Sequence, residues 1–191
     1  MAVAMSAETI ILRNRHWTVD DLDELPHDDG RRYEIIDGAL VVSGAPGLRH
    51  QRAVKRLTML LDAGCPPQYE VLPAPFGVVL ARDTMIMPDV LVARITDLTE
   101  GELPAPPVLA VEVLSKSSHV VDLNLKPDRL SRAGTPHYWV VNPSTEPEQA
   151  RLRTWHLIDG GYEQVADVSG EEPFTADAPY PVTVVPAALV R

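Results

Sequence analysis

The chain is poor in cysteine and in lysine, and each shortage narrows its chemistry. Cys65 is the single cysteine among 191 residues, which excludes an internal disulfide framework and a cysteine-rich zinc module. Three of the 17 basic residues are lysines (Lys55, Lys116 and Lys126), so a catalytic lysine has few candidates. No apolar run approaches the roughly 20 residues of a membrane-spanning helix. Asn14, Arg15 and His16 close a short apolar stretch near the N-terminus before it makes a signal peptide. A cytoplasmic protein without membrane contact is therefore expected.

Positive charge is scarce as well. The 17 basic against 27 acidic residues give a net charge of −10, a balance that excludes a general nucleic-acid coat. The excess is uneven. Arg49 to Arg132 holds ten basic and ten acidic residues, so any nucleic-acid contact has to come from this neutral middle.

What is present points to a globular domain. Apolar residues make up 45% and charged residues 23%, enough to bury a sizeable core. Eighteen prolines are about twice the usual share and imply many loops and short strands. Residues 1–16 read as a flexible leader, and residues 17–191 as a single domain. Thr18 and Asp21 form a capping-box pattern that opens a short helix ending near Leu25-Pro26. Arg32 to Ile36 and Ala39 to Ser43 read as strands around an Asp37-Gly38 hairpin turn.

Leu48 to Ala63 is the strongest helix. Val54, Leu57 and Leu61 repeat at helical spacing, with His50 one turn before Val54 and a basic stripe of Arg49, Arg52 and Arg56 beside them. Strands are expected at Tyr69 to Leu72, at Gly77 to Ala81, and from Met85 through Val92 across Pro88. Val108 to Leu114 is nearly continuous apolar sequence, the signature of a central strand covered on both faces. A helix follows over Asp122 to Ala133, and further strands over His137 to Asn142, Arg151 to Leu157 and Tyr162 to Val165. The last two are joined at Asp159-Gly160-Gly161, and one more strand is expected near Val182 to Val185. The order implies an α/β or α+β domain with a mixed sheet flanked by a few helices.

Two acids interrupt this apolar pattern. Asp89 follows Pro88 between apolar neighbours, and Glu112 stands inside the Val108 to Leu114 run. A buried carboxylate without a partner costs several kcal/mol. Each therefore needs a cation, a raised pKa or a metal. Two acids on neighbouring strands suit a hard divalent ion such as Mg²⁺ or Mn²⁺. The plainer alternative is that each pairs with an arginine.

These residues also carry a resemblance. Pro88-Asp89 with Glu112 resembles the PD-(D/E)XK nuclease signature. In chain order, Tyr33-Glu34-Ile35-Ile36-Asp37-Gly38, His50-Gln51, Leu72-Pro73-Ala74-Pro75-Phe76, Pro88-Asp89-Val90, Val111-Glu112-Val113-Leu114-Ser115, Asp122-Leu123-Asn124-Leu125-Lys126 and Ala133 to Pro143 resemble the Uma-type family of bacterial restriction endonucleases. The likeness runs from about Trp17 to Tyr162. It implies a restriction-endonuclease-like fold and hydrolysis of nucleic-acid phosphodiester bonds, DNA foremost, on Mg²⁺ or Mn²⁺. Asp89 and Glu112 would be the metal ligands, and Lys126 the catalytic lysine.

The general nuclease pattern puts that lysine two residues after the second acid, where this chain has Leu114. Lys116 is the rival candidate. Glu34, His50 and Asp122 are further site candidates. Against these stand plainer roles: Glu34 facing solvent, His50 as a satisfied core residue, and Asp122 and Lys126 as an exposed ion pair. Pro127 directly after Lys126 places that lysine at a helix start.

The two metal-binding acids are expected in a cleft open to solvent, with Lys126 mostly exposed. A homodimer is expected through the His137 strand and the Asp159 to Gly161 hairpin. The rival to the enzyme is a binding module on the same fold that has lost catalysis and acts by self-association.

Overall fold

The computed structural model describes residues 9–26, 30–115 and 121–191; Lys116 lies outside them. In chain order the strands are β1 (Ile10–Leu12), β2 (Arg32–Ile36), β3 (Ala39–Ser43), β4 (Tyr69–Pro73), β5 (Gly77–Ala81), β6 (Thr84–Ile86), β7 (Val90–Arg94), β8 (Glu102–Leu103), β9 (Leu109–Val113), β10 (His137–Asn142), β11 (Arg151–Ile158), β12 (Gly161–Ser169), β13 (Phe174–Ala176) and β14 (Val182–Val184). The α-helices are α1 (Leu48–Ala63), α2 (Lys126–Ala133) and α3 (Pro186–Val190). A π-helical turn over Val121–Leu125 runs straight into α2. No helix among the described residues is long and apolar enough to cross a membrane.

The strands form two six-stranded sheets and a hairpin. The first sheet has the order β1-β3-β2-β6-β5-β8, the second β12-β11-β10-β9-β7-β4, and β13 pairs with β14. Both large sheets are mixed: β5–β8 is the parallel pair of the first and β9–β10 of the second. The expected α+β architecture is thus present, with the strands divided between two layers. Pro88 marks the division. The apolar stretch read as one strand from Met85 to Val92 is β6 in the first sheet and β7 in the second, with Met87, Pro88 and Asp89 crossing between them.

Alternating side chains explain why the layers stack. On one face of the second sheet Val90, Val92, Leu109, Val111, Val113, Trp139 and Val141 pack against Ala53, Val54, Leu57 and Leu61 of α1. On the other face Leu91, Ala110, Tyr138 and Val140 meet Ile36, Val41, Val78 and Ile86 of the first sheet and Leu130 of α2. The middle strands are therefore covered on both sides, as the continuous apolar runs of β9 and β10 require. The basic stripe of α1 is partly spoken for. Arg52 donates to the Val190 carbonyl and Arg56 to the Ala188 carbonyl, each at 3.3 Å, tying α1 to α3.

Three expectations change. The segment read as leader carries a strand, since Ile10–Leu12 pairs antiparallel with Leu40 to Val42. The His137 strand offers no free edge, because β10 is paired with β9 on one side and β11 on the other. The C-terminal tail holds a hairpin and a short helix where one strand was expected.

The β2–β3 hairpin sets the face that β2 turns inward. Asp37 (φ 52°) and Gly38 (φ 71°) are both left-handed, the type I′ geometry of tight hairpins. A β-carbon on Gly38 would also lie 2.2 Å from Nδ1 of His16. Gly38→Ala is expected to lose about 1–2 kcal/mol, with His16, an exposed side chain, swinging aside. A urea titration showing an unchanged midpoint would contradict this reading of the turn.

Candidate active site

Strand periodicity brings the polar residues together. Along β2, Ile35 packs outward with Trp17 and Leu40 while Ile36 packs between the sheets. With a period of two, Arg32 and Glu34 therefore share the inward face with Ile36. In the second sheet β7 and β9 pair antiparallel, with Val90 opposite Val111 and Leu91 opposite Ala110. Asp89 is the residue just before β7, and its carboxylate accepts the amide of Val113, the residue after Glu112, which brings the two acids together at neighbouring strands. Glu112 also lies opposite Val140 of β10, so it faces the inter-sheet core. The π-helical turn adds Asp122, and the first residue of α2 is Lys126.

The cluster has two linked halves. Asp89 Oδ1 accepts a 2.7 Å hydrogen bond from Arg32 Nη1. Its Oδ2 lies 2.9 Å from His50 Nε2 and accepts the Val113 amide at 2.8 Å. In the other half, Lys126 Nζ lies 2.9 Å from Glu34 Oε1, 3.0 Å from Glu112 Oε1 and 3.3 Å from Asp122 Oδ1. Glu34 Oε1 also accepts the Met87 amide at 2.7 Å. The Tyr138 hydroxyl donates to the Asp122 carbonyl.

Burial makes these contacts matter. Lys126, Glu112 and Asp89 are each 1% exposed, so screening by water is weak and each charge depends on its partners. This corrects three expectations. Lys126 is buried, Glu34 does not face solvent, and the two acids do not lie in an open cleft. Asp89 instead forms part of the floor of a surface depression of about 210 Å³ shared with Arg31, Arg32, His50 and Gln51.

The electrostatics separate the two acids. Burial pushes Asp89 upward, but the hydrogen bond and charge of His50, with the charges of Arg32 and Lys126, outweigh it and hold the carboxyl well below its ordinary value. Burial pushes Glu112 well above its ordinary value. The Lys126 charge opposes that rise, and the charges of Asp122, Asp89 and Glu34 reinforce it. Burial alone would lower Lys126, but its acidic neighbours more than reverse this and keep the ammonium charged. Four buried carboxylates face two permanent cations, Arg32 and Lys126. Negative charge is in excess, and this reinforces the upward push that burial gives Glu112.

The donor set fits a hard divalent ion. Among the described residues no three His, Cys, Asp or Glu side chains surround a ready-made ion site. Mg²⁺ needs no such cage, because it is commonly held by one or two carboxylates, waters and a substrate phosphate. Asp89 and Glu112 are two neighbouring carboxylates of the right kind, each held by protein partners in this arrangement.

Sequence reading singled out Asp89, Glu112, Lys126, Glu34, His50 and Asp122, and all six meet in this cluster. Lys116 lies outside the described residues. Arg32 was missed. The signal for it was its spacing of two from Glu34 on a strand, which puts both side chains on one face.

A family model described as "Putative restriction endonuclease", Uma2, matches residues 19–186. No curated protein matches. Among solved structures, the crystal structure of a putative nuclease belonging to DUF820 from Anabaena variabilis ATCC 29413 is similar. It is 15% identical, with 85% of this chain and 89% of that chain covered and a TM-score of 0.66. At that identity the likeness shows the fold.

Proposed function

The chain belongs to the Uma2 family of putative restriction endonucleases, and from that premise we propose a divalent-cation-dependent endonuclease of the PD-(D/E)XK kind, hydrolysing phosphodiester bonds of nucleic acid, DNA foremost. The observation that carries this reading is the buried pair of Asp89, just before β7, and Glu112 of the neighbouring β9, with Lys126 on the Glu112 carboxylate. Asp89 and Glu112 would hold Mg²⁺ or Mn²⁺. Such an ion polarises a phosphoryl oxygen and lowers the pKa of a bound water.

The residues of the chain have separate tasks. His50 and Arg32 fix the Asp89 carboxylate in the ionised form a ligand needs. Lys126 keeps its proton, so it acts as a donor that stabilises negative charge and not as a base. Through Glu34, Glu112 and Asp122 it also holds three acids in one place.

One observation favours a second reading, a binding module without catalysis. Both Asp89 oxygens already have protein partners, and Glu112 has Lys126, so the acids are partly satisfied without an ion. A homodimer belongs to either reading. The surface for it is the edge strand β12, where Val165 is 44% exposed, and light scattering at micromolar concentration tests it.

Cleavage assays separate enzyme from module. Labelled single-stranded and duplex DNA and RNA are incubated with Mg²⁺ or Mn²⁺, with chelator as a control. Wild type is expected to cut at least one substrate. Asp89→Asn, assayed where circular dichroism shows it folded, is expected to lose about a thousandfold or more, the scale of removing a group that acts on the transition state. Absence of cleavage across the panel, or equal cleavage by the variant, would favour the module.

A further inference from the structure

A second opening adjoins the acidic cluster. A groove of about 820 Å³ lies between the start of α1 and the ends of β9 and β10. Arg49, His50, Asn142, Ser144, Thr145 and Gln149 line it, and no acidic residue among the described ones does. In a chain of net charge −10, a donor-rich groove without an acid is a distinct electrostatic surface.

Two independent features suggest what it takes. The first is the N-terminus of α1. Gly47 is its N-cap, no acid stands in the first turn, and among the described residues no side chain caps it. Without such a cap among the described residues, the first amide N–H groups of this 16-residue helix can meet another acceptor, and the helix dipole favours an anion there. The second feature is His50, which lines the groove and is 6% exposed. Its Nε2 faces Asp89, while its buried Nδ1 has no hydrogen-bond partner among the described residues. A buried polar atom left unpaired beside an opening marks where a bound group completes the site. Arg49 adds charge. Arg52 and Arg56 are held by α3, whereas Arg49 is exposed and forms no ion pair among the described residues.

We propose that this groove binds nucleic-acid backbone, with a phosphate on the uncapped N-terminus of α1 beside Arg49, next to the phosphate that faces Asp89. The class of ligand rests on the nuclease reading. His50 touches both positions, and a strand lying in the groove would pass from one to the other.

The test uses two substitutions and reads binding without cleavage. Anisotropy of fluorescein-labelled single-stranded and duplex oligonucleotides is measured in chelator at low salt for wild type, Gly47→Asp and Arg49→Gln. A β-carbon on Gly47 meets nothing within 4 Å, and its extended backbone (φ −77°, ψ 171°) suits an aspartate cap. Gly47→Asp should therefore melt no lower than wild type while its carboxylate takes the amide groups and repels phosphate.

Binding is expected to weaken about tenfold or more in Gly47→Asp. In Arg49→Gln it should weaken severalfold, with the salt slope reduced by about one. Failure of the wild type to bind either strand, or wild-type affinity in both variants, would overturn the proposal. Ion-dependent cleavage that is unchanged in Gly47→Asp would overturn the groove and leave the nuclease reading intact. Binding that is sensitive to both substitutions, without any ion-dependent cleavage, would support the groove and remove the nuclease reading.

Discussion

Lys126→Met is expected to lose about 3–5 kcal/mol of stability at pH 7, the usual result of removing one partner from a buried ionic cluster. For a chain of this length that is a fall in melting temperature on the order of 10 °C. The expectation follows from burial. At 1% exposure the ammonium is the common partner of Glu34, Glu112 and Asp122, and the thioether leaves them facing one another. An exposed lysine, as the sequence suggested, would contribute little.

The loss should depend on pH in one direction. Glu112 is already raised by burial, and Lys126 is the charge that opposes the rise; without it the rise is larger. An acid whose folded pKa exceeds its unfolded value contributes stability below the unfolded pKa and loses it as pH rises through the folded one. The deficit of the variant should therefore shrink as pH falls from 8 towards 4. Urea titrations across that range check it. A variant as stable as wild type at pH 7 would mean that the three acids do not depend on the ammonium.

Glu112→Gln is expected to separate stability from ion binding. In ion-free wild type the raised pKa of Glu112 makes its ionisation unfavourable to folding, so stability declines as pH rises through that value. Glutamine keeps the shape and a carbonyl for Lys126 but never ionises. The variant should be at least as stable as wild type at neutral and alkaline pH in chelator, with a flatter pH profile. With Mn²⁺ at about a hundred times its dissociation constant, wild type should gain about 2.7 kcal/mol and the variant almost nothing. An equal gain in both would remove Glu112 from the ligand set. Such a trade, in which a site residue costs stability, is common where function requires buried like charges.

The sequence made the separate pieces legible and left their assembly hidden. Asp37-Gly38 and Asp159-Gly160 act locally through left-handed backbone, and α1 is set by its own apolar stripe, so both could be read from neighbours in sequence. Asp89 and Glu112 stood out because carboxylates interrupt apolar runs. The second layer was not legible, because the crossing from β6 to β7 depends on long-range pairing of Ile35 with Met85 and of Val90 with Val111. Arg32 was missed for the same reason: its partner Asp89 is 57 residues away. Burial of Lys126 was hidden too. Pro127 correctly placed that lysine at a helix start, but the π-helical turn that aims it inward has no short sequence signal.

Crystals soaked in Mn²⁺ and measured at an anomalous wavelength test the central claim most directly. The account predicts an anomalous peak within coordinating distance of both the Asp89 and Glu112 carboxylates, absent in Glu112→Gln crystals. Full occupancy of Asp89 by Arg32 and His50 and of Glu112 by Lys126, with no peak beside either acid at millimolar Mn²⁺, would contradict it.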